Sequence, residues 1–313
     1  MTLLLIIPIL ALFYVLGRAA DEVVGRLRTL AGHLGVGVGF LGLLLGIFTT
    51  LPEMAIAVNA MARNMDNISY GNLIGGIPVL LGLILGLSAV FNRSIDTKGN
   101  NIQMLSFMSA FILLPLVLSL DGSLGLVDGL AILACYGFLL TGLFWRRRGP
   151  LEGAVHIDIS SGRKVRRAII AAVVGAIVVI VSSDITVRMT EIVLNEYPVL
   201  PKVTVGLLIF ALGTNLPEIT VAFSAWRRGA SEMSISHMFG SAMTNVMILG
   251  LLAAVRPQAV SVGPAFHFTL AVFAVLLFAV MVFQATDRKL TWREGIGLIG
   301  IYVMFVFSQL FFV

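Results

Sequence analysis

The chain has 313 residues, of which 58% are hydrophobic and 12% charged, with a mean hydropathy of +1.02. Soluble domains ordinarily carry about 25% charged residues, so this composition excludes one and points to an all-α integral membrane protein. Lipid leaves backbone groups no partner outside a helix or a closed barrel, and these apolar runs are too continuous for barrel strands, which alternate over about 10 residues. The net charge of +5 and pI near 9.7 would suit nucleic acid, but the basic residues fall in a topological pattern, and no nucleic-acid or protein partner is inferred.

Ten hydrophobic segments are predicted, at roughly 2–17, 33–61, 67–91, 102–120, 124–145, 168–185, 199–225, 233–255, 262–284 and 294–312. The first has no basic stretch ahead of it and is followed by Arg18, Arg26 and Arg28, so it reads as a spanning helix with an outside N-terminus and not as a leader. With that orientation only Arg63, Arg188, Lys202 and Arg256 lie in outside loops, and every other Lys and Arg lies inside, as the positive-inside bias requires. Trp145, Trp226 and Trp292 abut the basic clusters, where interfacial aromatics belong. Both termini are therefore expected outside a prokaryotic-style cell (inner) membrane spanned many times, with the 146–167 loop cytoplasmic. Cys135 sits in an apolar run and reads as a small buried residue.

The 146–167 loop divides the chain into halves of five segments each, 1–145 and 168–313. Setting Glu53 on Glu218 aligns identical residues on both sides of them. These are Thr49 with Thr214, Leu51 with Leu216, Pro52 with Pro217, Ala57 with Ala222, Ala60 with Ala225, Arg63 with Arg228, Ser69 with Ser234 and Gly75 with Gly240. Five spans separate the equivalent helices, so the second half must be inverted in the membrane. Inverted repeats with interrupted helices are characteristic of secondary transporters, whose sites lie at the repeat interface near midplane.

The repeated phrases are FTTLPE at 48–53 and GTNLPE at 213–218. A proline within a helix frees the carbonyl four residues back, here that of Phe48 or Gly213, and loosens those of Thr49 and Thr214. Thr49 shares a helix face with Glu53, and Thr214 with Glu218. Two such kinked faces meeting would make a cage of two carboxylates and neutral oxygens, and hard oxygen ligands of net charge −2 suit Ca²⁺. A carboxylate at the centre of a membrane helix costs about 2.5–3.5 kcal/mol on insertion scales, so a matched pair argues for use. A second polar cluster follows on the next helix. In the second half it reads GSAMTN, with Ser241 and Asn245 one turn apart. In the first half GGIPVL supplies no side-chain oxygen, although Pro78 is expected to break the helix and present a carbonyl such as that of Ile74.

These residues resemble the sodium/calcium exchanger-type cation antiporters, which carry two inverted repeats with G-T/S-S-L-P-E on one helix and G-N-x-I-G-S-N on the next. The first repeat here reads FTTLPE and YGNLIGGIP, the second GTNLPE and SHMFGSAMTN. The likeness covers the whole chain, specifically over the motif pairs and architecturally elsewhere. It implies that Glu53 and Glu218 form the Ca²⁺ site with the carbonyls of Thr49 and Thr214, and that Thr50, Asn215, Ser241 and Asn245 help bind Na⁺ beside it. The family's first-repeat serine and asparagine correspond to Gly76 and Leu80, and Phe48 replaces a glycine. The resemblance further implies exchange of Ca²⁺ for Na⁺ by alternating access, with the first helix of each repeat as the mobile element and no cofactor. H⁺ in place of Na⁺ stays open as coupling ion, as do a degenerate cation-binding protein that does not transport and a channel.

Other features read plainly. His33 and His156 are expected in solvated positions and His267 at an interface, while His237 stands opposite Asn72 in the overlay and is a candidate for the ion path. Asp121 and Asp184 are expected to end helices as solvated acids. The 13 methionines pack without clustering with Cys or His. No H-E-x-x-H, P-loop or G-x-S-x-G motif occurs, so the sequence does not read as an enzyme.

Overall fold

The apolar runs fold as helices. The computed structural model describes residues 5–33, 48–96, 102–146, 162–197, 201–227, 235–287 and 289–311. Their helices are α1 Ile6–His33, α2 Leu51–Ala62, α3 Asp66–Phe91, α4 Ile102–Leu118, α5 Leu126–Arg146, α6 Gly162–Glu196, α7 Lys202–Thr214, α8 Leu216–Arg227, α9 Ile235–Val255, α10 Pro264–Asp287 and α11 Trp292–Phe311. Six of them (α3, α4, α6, α9, α10 and α11) contain stretches long and apolar enough to cross a membrane, and α2, α7 and most of α5 are shorter apolar helices. Much of the predicted 33–61 segment, and most of the 146–167 loop with His156, lie outside the described residues.

Two helices outrun their predicted ends. α1 continues through the basic stretch after residue 17, where good helix formers and a Glu22–Arg26 ion pair of 2.6 Å one turn apart sustain it. α6 runs 35 residues, about 50 Å at helical rise, well beyond a hydrocarbon core of about 30 Å. Asp184 is accordingly no loop acid. It lies within α6 and accepts from Arg63 at 2.6 Å and Arg188 at 2.9 Å. Ile169, Ile170, Val173, Val174, Ile177 and Ile180 of α6 are all exposed, a lipid-facing stripe. Cys135 is exposed too, on the outer surface of α5, because periodicity alone does not say which side of an all-apolar helix meets the bundle.

α3 is the central helix. It is apolar almost all round, as a buried helix must be, and Leu73, Ile74, Ile77, Leu80, Leu81, Ile84 and Leu85 are all buried. Pro78 does not break it. The helix widens to a π-helical turn over Val79–Ile84 and then resumes, a usual way to absorb a missing N–H. α7 carries a similar turn over Gly206–Phe210. The two helices cross at backbone contact. A Cβ on Gly71 would lie 2.5 Å from the Val203 carbonyl oxygen, and one on Gly206 would lie 2.7 Å from that of Ile68, so small residues set this approach.

Two short antiparallel ladders tie loops from opposite halves of the chain. β1 Ser94–Asp96 pairs with β4 Lys289–Thr291, and β2 Ser123–Leu124 pairs with β3 Gln258–Ala259. α1 and α6 pack along each other beside this body, joined to it by a smaller core that includes Phe13, Leu16, Ile56, Val179 and Phe210.

Candidate cation site

Both Leu-Pro-Glu phrases begin a helix. Thr50 (φ −95°, ψ 18°) interrupts the chain before α2, and Asn215 (φ −91°, ψ 9°) interrupts it between α7 and α8. The expected proline kink is thus a full interruption, three residues ahead of each glutamate. Proline then falls in the first turn, where its missing N–H has no intrahelical partner to lose. The carbonyl of Thr50 accepts from Met54 N–H at 3.0 Å, and that of Asn215 from Ile219 N–H at 3.1 Å. Glu53 and Glu218 occupy the first turns of α2 and α8, where the positive end of the helix dipole favours an anion.

The two carboxylates lie within electrostatic range of each other. Glu53 is 2% exposed, and Glu218 is partly exposed, but the Oε2 atom of each is buried with no hydrogen-bond partner among the described residues. Thr214 is buried, and its hydroxyl faces the Phe210 carbonyl at 3.0 Å and Asn72 Oδ1 at 3.3 Å. Asn215 donates to the Ala211 carbonyl at 2.9 Å, which leaves its Oδ1 unpartnered. Asn245 is fully buried with neither amide atom bonded among the described residues, and Ser241, buried too, precedes it by one turn of α9. Gly76 brings the asparagines together: a Cβ there would lie 2.8 Å from Asn245 Nδ2 and 3.4 Å from Asn215 Nδ2. Thr50 is buried at its break, and Thr49 beside it is partly exposed.

Asn72 is the residue that sequence reasoning underrated. Fully buried on α3, it donates to the Glu53 backbone carbonyl at 3.1 Å and faces Thr214 through its other amide atom. One side chain therefore ties the two interrupted regions together. Its signal was present, since Asn72 is a lone amide in the glycine-rich, otherwise apolar turns of α3. His237 lies in the first turn of α9, about two turns from Asn245.

Buried polar atoms in native proteins are nearly always bonded, and leaving one unpaired costs about 1–3 kcal/mol. Two carboxylate oxygens and two asparagine amide oxygens unpaired around one helix crossing make an acceptor-rich set suited to a hard cation. Cavities flank this level in both directions along α3. One of about 330 Å³ borders Tyr70, Ile74, Thr204 and Leu207, and one of about 320 Å³ borders Leu87, Phe91, Ile219 and Phe223.

Known proteins share both the sequence and the fold. The family model described as sodium/calcium exchanger protein matches residues 4–145 and 167–311. An uncharacterized membrane protein of Methanocaldococcus jannaschii is 25% identical over 89% of each chain. The sodium/calcium exchanger MaX1 of Methanosarcina acetivorans is 24% identical over 92% of this chain and 93% of its own. The inner membrane protein YrbG of Escherichia coli is 23% identical over 95% and 92%. A solved structure of the sodium-calcium exchanger NCX_Mj superposes with a TM-score of 0.66 at 23% identity, covering 97% of this chain and 98% of that one, which establishes the likeness of fold.

Proposed function

The chain belongs to the sodium/calcium exchanger protein family, a family of multi-pass membrane cation antiporters and not of enzymes, and from that premise we propose that it moves Ca²⁺ across the cell membrane in exchange for Na⁺. The observation that carries this reading is the pair Glu53 and Glu218, matched in position after two helix breaks, each with a buried carboxylate oxygen that has no partner among the described residues. In this reading the two carboxylates, with the backbone carbonyls of Thr49 and Thr214, bind Ca²⁺. Thr50, Asn215, Ser241 and Asn245 hold Na⁺ or complete the shell. Both ions compete for the same carboxylates, so the empty, doubly charged site does not cross, and occupancy becomes the condition for switching sides.

Two five-helix repeats, 1–145 and 168–313, joined by a cytoplasmic 146–167 linker and with both termini outside an inner membrane, complete the proposal. It is supported by breaks at the same distance from each glutamate and by ladders that interchange when the halves are exchanged, β1–β4 for β3–β2. α1 and α6, packed on each other at the side of the body, would be the elements that alternate.

A second reading replaces Na⁺ with H⁺. It is favoured by Gly76 and Leu80, which put no side-chain oxygen on the first-repeat side. Ca²⁺ uptake into proteoliposomes loaded with Na⁺, beside vesicles bearing only a pH gradient, separates the two. Uptake that requires internal Na⁺ and vanishes in Glu53→Gln and Glu218→Gln is the expected result. Uptake driven by pH alone assigns H⁺, and binding without flux under either gradient overturns antiport.

A further inference from the structure

α1 runs along the second helix break at close range. Phe13 is fully buried with its ring edge-on to that of Phe210 at 5.4 Å, and a Cβ on Gly213 would lie 2.5 Å from the Phe13 ring. One turn on, Gly17 lies against the Pro217 ring, which a Cβ there would strike. The next turn brings Asp21. On a helix Asp21 lies about 40° round from Gly17, whereas Arg18 lies about 100° round, so Asp21 is the charge that shares the face turned to Pro217. The residue after Pro217 is Glu218, and Asp21 is within electrostatic range of it.

Asp21 is exposed, and among the described residues no hydrogen bond or ion pair holds it, whereas its neighbour Glu22 is paired with Arg26. Arg18 is exposed as well and offsets part of its charge. Glu218 is partly exposed, while Glu53 is 2% exposed. An open carboxylate thus stands beside the member of the pair that solvent reaches. The Glu53 side is built differently. α6 packs on α2 as α1 packs on α8, but its acid Asp184 is held by Arg63 at 2.6 Å and Arg188 at 2.9 Å. Ser183 beside it accepts from Asn59 at 2.6 Å. That acid is engaged by the protein's own cations.

We propose that Asp21 is a further positioning residue for the transported cation, a carboxylate that gathers Ca²⁺ from the inner solution and passes it to Glu218. The inference rests on the antiport reading above and on its orientation, which puts Arg18, and with it Asp21, at the inner face. Charge of one sign at the mouth of a low-dielectric cleft raises the local concentration of the opposite ion and its rate of capture by about tenfold or more. A divalent ion gains twice the energy of a monovalent one in the same field. Exposed charges are screened beyond about 10 Å at 0.1 M salt, so the gain fades as salt rises. Asp21 stands outside the buried ligand set, so it acts on capture and not on turnover.

The test is Asp21→Asn in the full-length protein, with Ca²⁺ flux measured from each face in inside-out and right-side-out vesicles under whichever monovalent gradient drives it. At low salt the variant should need about tenfold more Ca²⁺ for half-maximal flux from the inner face. Its maximal rate and its outer-face requirement should match wild type, and the difference should shrink as salt is raised. Asp21→Glu should restore capture, and Arg18→Gln should lower the inner-face requirement. A merely structural role would instead lower the maximal rate from both faces at every salt concentration. That result overturns the proposal, as does an unchanged inner-face requirement, a rise confined to the outer face, or a rise in Arg18→Gln. Absence of Ca²⁺ flux in the wild-type protein removes antiport itself, and the role of Asp21 with it.

Discussion

Replacing Asn72 with leucine separates the role of this residue in holding the fold from its role in arranging the cation ligands. Leucine is similar in size and apolar, so it opens no cavity in the fully buried position. Two contacts disappear, the 3.1 Å bond to the Glu53 carbonyl and the 3.3 Å approach of the Thr214 hydroxyl. Neither partner is stranded. Thr214 retains the Phe210 carbonyl at 3.0 Å, and the Glu53 carbonyl retains the amide four residues on in α2 by the ordinary helix pattern. The stability cost should therefore be about 1 kcal/mol, the net worth of one hydrogen bond, and not the roughly threefold larger cost of an orphaned buried group. Ca²⁺ binding should suffer more, because the tie between the two interrupted regions is gone. A tenfold weaker affinity would remove about 1.4 kcal/mol of the stabilisation that saturating Ca²⁺ confers. Thermal unfolding of the purified protein, with and without Ca²⁺, reads both effects. Ca²⁺ protection equal to wild type would refute the idea that Asn72 arranges the ligands. A loss of 3 kcal/mol or more, estimated from the same buried-group cost, would show that it is chiefly structural.

Other substitutions should behave as follows. Glu53→Gln and Glu218→Gln should each abolish Ca²⁺ flux and Ca²⁺ protection while the apo protein stays at least as stable, since each removes a buried charge; a Gln variant that transports normally would exclude that carboxylate from the site. Gly76→Val should lower stability by about 1–3 kcal/mol through overpacking on Asn245 and should lose flux, and unchanged unfolding would show that the asparagine moves aside freely. Arg63→Met should cost about 1–2 kcal/mol, between the exposed and buried limits for an ion pair, because the Arg63 and Asp184 side chains are 24% and 29% exposed. Adding Asp184→Asn should then cost less than the separate effects combined, as residues in contact couple; strict additivity would deny the pairing.

The repeat and the two glutamates could be read from the sequence because a charge in lipid is costly and a phrase occurring twice is conspicuous. The helix breaks could be placed only approximately. Proline signals a distortion, but whether the chain bends at it or stops before it depends on whether neighbouring helices leave room, and at Thr50 and Asn215 the chain stops. Pro78 illustrates the opposite outcome, absorbed in a π-helical turn within a tightly packed α3. The exposure of Cys135 was hidden because α5 is apolar on every side, so composition does not distinguish lipid from protein neighbours. Asn72 was visible as a polar residue, but its task depends on α7 crossing α3 at backbone contact, which only the packed pair of helices reveals. The ladders have no sequence signal at all, being strands of two or three residues in ordinary loops.

Those ladders bear on how the chain is made. β1 finds its partner β4 only about two hundred residues later in the chain, and β2 waits for β3 across the whole central loop. During synthesis the first half must sit in the bilayer with the edge of β2 unpaired until β3 follows α9, and that of β1 unpaired until β4 follows α10, a late closure of the kind that long-range pairing imposes. A ribosome stalled before residue 289 would therefore leave a chain that has made ten of these eleven helices and yet lacks the strand that pairs with β1.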